Sequence, residues 1–95
     1  MLWIEILQLR ATKESALAAL IEELGRALES ERVEYTMYRH VSISTDFSVH
    51  LVHKTDGDRR PDQTLGQRLA ATLSEHGLIS HSLWVETYPQ VWSSL

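Results

Sequence analysis

The segment Val33 to Lys54, VEYTMYRHVSISTDFSVHLVHK, alternates so regularly that it reads as a long β-hairpin with one apolar and one polar, histidine-bearing face. In its first arm Val33, Tyr35, Met37, Val41 and Ile43 hold odd positions, with Arg39 the exception, while Glu34, Thr36, Tyr38, His40, Ser42 and Ser44 hold the even ones. Phe47, Val49 and Leu51 extend the odd set in the second arm, and Ser48 and His50 the even set. Cross-strand partners share a face, so equal parity on both arms requires partner numbers that sum to an even value and an odd-length connection such as Ser44-Thr45-Asp46. That register sets His40 opposite His50 and Tyr38 opposite Val52. Other odd-length connections shift the pairing by two and keep the histidines neighbours.

Around the hairpin the remaining elements follow from local patterns. Leu2 to Arg10 reads as a central strand, apolar on both sides, with Leu2, Ile4 and Ile6 alternating with Trp3, Glu5, Leu7 and Leu9. Leu17, Leu20, Ile21, Leu24 and Leu28 recur at helical spacing, predicting an amphipathic helix over Lys13 to Ser30 with Thr12 as N-cap. Thr55 to Gln63, with Gly57 and Pro61 among charges, is an exposed loop whose aspartates lack the spacing of a calcium loop. A second helix starts at Thr64 or Asp62, with Thr64 and Gln67 at capping-box spacing, and buries Leu65, Leu69 and Leu73. Gly77 is placed to end it in the left-handed conformation, and Ser80 to Tyr88 forms the last strand before Pro89.

Strand, helix, hairpin, helix, strand is the βαββαβ order. It predicts an α+β, ferredoxin-like single domain over residues 1–95: a four-stranded antiparallel sheet, spatial order 4-1-3-2, with both helices on one face. The other face is then open and carries Tyr38, His40, Ser48, His50, Val52, Trp84, Glu86 and Tyr88. Trp3, Glu5, Leu7 and Leu9 are expected to join them, leaving Ile4 and Ile6 to meet the leucine-lined helices.

Ninety-five residues bury only about 60 to 65% of the unfolded surface, which makes a monomer marginal and favours a partner for that face. With no cysteine, disulfides, thiol nucleophiles and thiolate zinc sites are excluded. A net charge of −4 without a basic stripe argues against nucleic acid, and the amino-terminal run, interrupted by Glu5, fits neither a signal peptide nor a membrane span. The expected setting is cytoplasmic.

Length, element order and an open face mixing aromatic with polar groups resemble the dimeric α/β-barrel superfamily, in which two ferredoxin-like chains pair their open sheets around a shared interior. The superfamily includes cofactor-free monooxygenases and haem-degrading monooxygenases; the latter use an asparagine, and this chain has none. The resemblance implies a homodimer whose interior binds a small organic molecule or serves assembly alone. Its alternative implication is a cofactor-independent monooxygenase-like enzyme. RNA-recognition domains fit less well, since the third strand, DFSVHLVHK, offers only Phe47 as an aromatic. An amino-acid-binding regulatory domain would need a glycine in the turn Arg10-Ala11-Thr12-Lys13, and a metal chaperone a Cys-x-x-Cys.

The residues expected to line the interior are Glu5, Tyr38, His40, His50, Trp84 and Glu86. Two imidazoles and two carboxylates on neighbouring strands could ligate zinc or iron, or move a proton near neutral pH. The preferred reading is that they are hydrogen-bonded groups in a wet dimer interface, with no metal and no cofactor. His50 and His53 stand on opposite faces of one strand and cannot share a metal. His53 is expected at a strand end, His81 on the surface, and Trp92 buried within an ordered tail, Gln90 to Leu95.

Overall fold

The computed structural model describes residues 1–87. Its centre is β1 (Leu2–Ala11), hydrogen-bonded on one side to β3 (Asp46–Lys54) and on the other to β4 (Gly77–Val85). With β2 (Glu34–Arg39) outside β3, the strand order is β2-β3-β1-β4, all antiparallel. Helices α1 (Leu17–Glu29) and α2 (Thr64–Leu73) complete a ferredoxin-like α+β fold, in the order and spatial arrangement that the patterns predict. Leu17, Leu20, Leu24 and Leu28 of α1 and Leu69 and Leu73 of α2 share one buried cluster with Leu7, Leu9, Phe47, Val49 and Leu51 of the sheet. Fully burying each such side chain is worth about 1.5 to 3 kcal/mol, so this layer carries most of the driving force for folding. Among the described residues, no helix is long and apolar enough to cross a membrane.

The faces of β1 are reversed from the expectation. Trp3, Leu7, Leu9, Ala11 and Glu5 are the buried set and lie under the helices, while Leu2, Ile4, Ile6, Gln8 and Arg10 take the open face. The physical reason lies at the strand's far end, where the even set becomes polar. Arg10 makes a two-pronged ion pair with Asp46 across the open face, Nε to Oδ1 and Nη2 to Oδ2, both 3.0 Å. A strand cannot put Gln8 and Arg10 in solvent and Ile4 and Ile6 in the core, because all four share one side.

The hairpin keeps its predicted parity but not its register. Tyr38 pairs with Ser48 and Thr36 with His50, so His40 and His50 are not cross-strand neighbours. The turn consumes residues 40 to 45 because His40 caps it: its Nδ1 accepts from the Ser42 and Ile43 backbone N–H groups at 3.0 and 2.9 Å. The Asp46 N–H then returns to the Ile43 carbonyl, closing the connection. Side-chain capture of the backbone thus ends the first arm at Arg39, short of the Val41 and Ile43 that the hydrophobic pattern includes, while the second arm keeps its full length, Asp46–Lys54.

Three local expectations are likewise corrected. Thr12 does not cap α1; its N–H and hydroxyl both donate to the His76 carbonyl, tying the end of β1 to the end of α2, and the chain enters α1 through a 3-10 turn, Glu14–Ala16. Gly77 does not end α2 but begins β4 three residues earlier than expected, opposite Ala11, where a side chain would overlap the Arg10 carbonyl. At the start of α2 the reciprocal Thr64–Gln67 pair is not formed among the described residues; Asp62 instead accepts from both the N–H and the hydroxyl of Thr64, at 2.9 and 2.6 Å. The exposed loop before it is as predicted, with Gly57 at φ 59. The expectations for Tyr88, Trp92 and the tail fall outside the described residues.

Two carboxyls carry an acid-sensitive share of this architecture. Hydrogen bonds from the Thr64 hydroxyl and N–H hold the Asp62 carboxyl below its ordinary range, and the Arg10 guanidinium does the same for Asp46. A carboxyl depressed on folding stabilises above its unfolded value, near pH 4, and loses that contribution as pH falls through the folded value. Asp62→Asn, which retains an acceptor but not the charge, should therefore flatten the acid limb of urea stability below about pH 4 and change little at neutrality. Parallel acid limbs for variant and wild type would refute the assignment.

Candidate functional site

The open face can be laid out as rows running across the strands. Glu34, Val52, Ile4 and Trp84 form one row; Thr36, His50, Ile6 and Ser82 the next; then Tyr38, Ser48, Gln8 and Ser80. Apolar side chains concentrate at one end in Val52, Ile4 and Trp84, the last 62% exposed, bounded by Glu34 at the β2 edge, while the other end is mostly polar but carries the exposed Leu78 opposite Arg10. Over the polar end lies a groove of about 430 Å³ bordered by Gln8, Tyr38, His40, Ser48 and Ser80. The Tyr38 and His50 rings meet at a centroid separation of 4.7 Å, and His50 Nε2 is 3.3 Å from the Ser48 hydroxyl.

Of the six residues expected to line a common site, the sheet brings Tyr38 and His50 together and sets Trp84 on the opposite edge strand. Its indole N–H donates to the Ser82 hydroxyl at 2.9 Å. His40 borders the groove but spends Nδ1 on its own turn. Glu86 is exposed just past β4, its N–H bonded to the Leu2 carbonyl. Glu5 is on the far side of the sheet and cannot join them.

There Glu5 builds a second constellation that the sequence reasoning missed. It is 0% exposed, and its carboxylate accepts from His53 Nε2 at 2.9 Å, His81 Nε2 at 2.5 Å and Gln63 Nε2 at 3.3 Å. The register explains the convergence. Glu5 pairs with Leu51 and Leu83, while His53 and His81 are each two residues away along the flanking strands, so both imidazoles reach it diagonally on the same face. Facing them from α2 is Gly66, whose missing side chain leaves the space that the carboxylate fills. Because a carboxylate accepts, each ring presents Nε2–H to it, which leaves Nδ1 as the nitrogen turned to other partners.

The odd parity of His53 and His81 was visible in the sequence, as was the order 4-1-3-2; only the assignment of β1's faces hid their meeting with Glu5. Among the described residues no group of three or more histidine, aspartate or glutamate side chains is arranged to hold a metal ion. What the cluster offers is a histidine oriented by a buried carboxylate at the border of the core: His53 is 15% and His81 23% exposed at the side chain. Compared with known protein families, curated proteins and solved structures, the chain has no match.

Proposed function

We propose that this chain acts as a homodimer, assembled by packing two open sheet faces together in the manner of the dimeric α/β-barrel superfamily, with the polar end of the face left as a compartment for a small organic ligand. The observation that carries the reading is the apolar stretch Val52, Ile4 and Trp84, bounded at the β2 edge by Glu34 and extended by Leu2 and Ile6, on a face that no described element covers. Left in water, such a contiguous patch would amount to several hundred Å², the size at which monomers expose a functional surface. A second copy fits it better than a strongly charged partner, because the charges on this face are mixed in sign and marginal: the Arg10–Asp46 pair lies at its polar end, and Glu34, Lys54 and Glu86 lie at its edges.

The monooxygenase-like alternative asks for a histidine free to meet a substrate. His40 is committed to its turn, His50 to Ser48 and Tyr38, and Glu5 is on the other face, which favours assembly and binding over turnover. The test is sedimentation equilibrium at micromolar concentration. Wild type should behave as a dimer and Trp84→Lys as a folded monomer, since a cation introduced on the exposed indole position would face its own copy. A wild-type chain that sediments only as a monomer would refute the proposal, and native mass spectrometry of the dimer reports any copurifying ligand.

A further inference from the structure

The Glu5–His53 pair opens onto a second pocket, which shares no residue with the groove at the polar end of the open face but touches the proposed dimer face at its edge through Val52 and Glu34. Where β3 leaves the sheet for the loop beyond Thr55, a cavity of about 470 Å³ is bordered by His53 together with Arg32, Lys54, Arg59 and Arg60. That volume lies in the range of small-molecule sites. The chain has nine lysines and arginines in all, so four of them gather at this one place in a protein of net charge −4. None of the four is in an ion pair among the described residues, whereas Arg10, Arg26 and Arg68 each are. Glu34, Asp56 and Asp62 also border the cavity, and Asp62 is occupied by Thr64, so four cations against three carboxylates leave an excess of positive charge before His53 is considered.

His53 supplies the independent observation. Its Nε2 is fixed by the fully buried Glu5, while Nδ1 makes no hydrogen bond among the described residues. No buried side-chain nitrogen of these residues lacks a partner, so Nδ1 reaches solvent, and His53 is one of the pocket's walls. A buried carboxylate and a glycine-made space are an expensive way to finish a core that leucine would fill, and their effect is to hold one imidazole in a set orientation at the rim of a cationic cavity.

We propose that this pocket binds a small phosphate monoester or inorganic phosphate, gripped by the guanidinium groups of Arg59 and Arg60 and contacted by His53 through Nδ1. Guanidinium forks match tetrahedral oxyanions geometrically as well as in charge, so three arginines and one lysine are the donors such a ligand takes, while the Nδ1 lone pair of a ring that gives Nε2–H to Glu5 accepts from a protonated phosphate oxygen.

The experiment is an amide and imidazole NMR titration of the full chain with inorganic phosphate, ionic strength being held constant with chloride. Saturable shifts confined to residues 32–34 and 53–62 and the His53 ring are expected, with Arg59→Gln/Arg60→Gln weakening binding by about tenfold or more at unchanged spectral dispersion. Both positions are exposed, so this variant leaves the core untouched. Absence of saturation, or equal binding by the double variant, would overturn the proposal, as would citrate binding where phosphate does not.

Discussion

Gly66→Ala is expected to destabilise the fold by about 2 to 4 kcal/mol, against the direction that helix propensity predicts. Within α2 a glycine-to-alanine change would by itself add roughly 0.5 to 1 kcal/mol of stability, because alanine loses less backbone entropy on folding. The new methyl group, however, would overlap the Glu5 carboxylate from the side facing the sheet. A free glutamate could swing away cheaply. This one is fully buried and held by His53, His81 and Gln63, so relief requires either breaking those hydrogen bonds or lifting α2 from the sheet. Overpacking costs about 1 to 3 kcal/mol, and disrupting a buried charged group adds to it. For a domain of this size the melting temperature should fall by roughly 10 °C or more. Adding Glu5→Ala should recover part of the loss, since the two substitutions act on one contact. A Gly66→Ala variant as stable as wild type, or more so, would show that the carboxylate is not held where the hydrogen bonds place it.

What could be read from the amino-acid order was decided by period, and what could not was decided by side chains that capture backbone or by a choice between two plausible faces. The leucines of α1, the odd-position apolar residues of β2 and β3 and the polar loop before α2 each point to one element without outside help. From those the four-stranded order follows. The hairpin register failed because an imidazole bonded two backbone N–H groups in the turn, a local competition invisible to an alternating pattern. Gly77 was misread because helix termination and close strand approach both call for glycine, and only the neighbouring Arg10 carbonyl tells them apart.

The candidate site was hidden by the first strand. Ranking Ile4 and Ile6 above Leu7 and Leu9 as core residues ignored that Gln8 and Arg10 travel with the isoleucines. A charged residue in an otherwise apolar set is compatible with burial when histidines of matching parity flank it on both neighbouring strands, and that condition was met by His53 and His81. Tyr38, His50 and Trp84 are on the open face as expected, with Tyr38 and Trp84 on opposite edge strands by strand order alone; what the turn decides is the pairing, which sets Tyr38 against Ser48 and not Val52.

The asymmetry of the Glu5 cluster leads to the second large effect. Replacing His53 and His81 together by leucine should cost about 3 to 5 kcal/mol, whereas Glu5→Leu should stay within about 1 kcal/mol of wild type. In the first variant a fully buried carboxylate keeps only the 3.3 Å contact from Gln63, and leaving such a group without its partners is among the most expensive changes a core can suffer. In the second, two imidazoles lose an acceptor, but both are partly exposed and water can replace it. The buried leucine meanwhile gains about 1.5 to 3 kcal/mol of transfer free energy in a space of nearly the same volume, enough to offset the lost hydrogen bonds. Urea unfolding of both variants at neutral pH measures the difference, and equal losses would mean that the cluster is held together chiefly by packing. If Glu5→Leu is as stable as expected, stability does not explain the carboxylate, and its effect must be sought in His53. In that variant the imidazole has lost its anchor, so its NMR response to phosphate should weaken while the amides around Arg59 and Arg60 still respond. That separation would assign Glu5 the part of positioning residue for the cationic pocket, and an unchanged His53 response would remove it from that role.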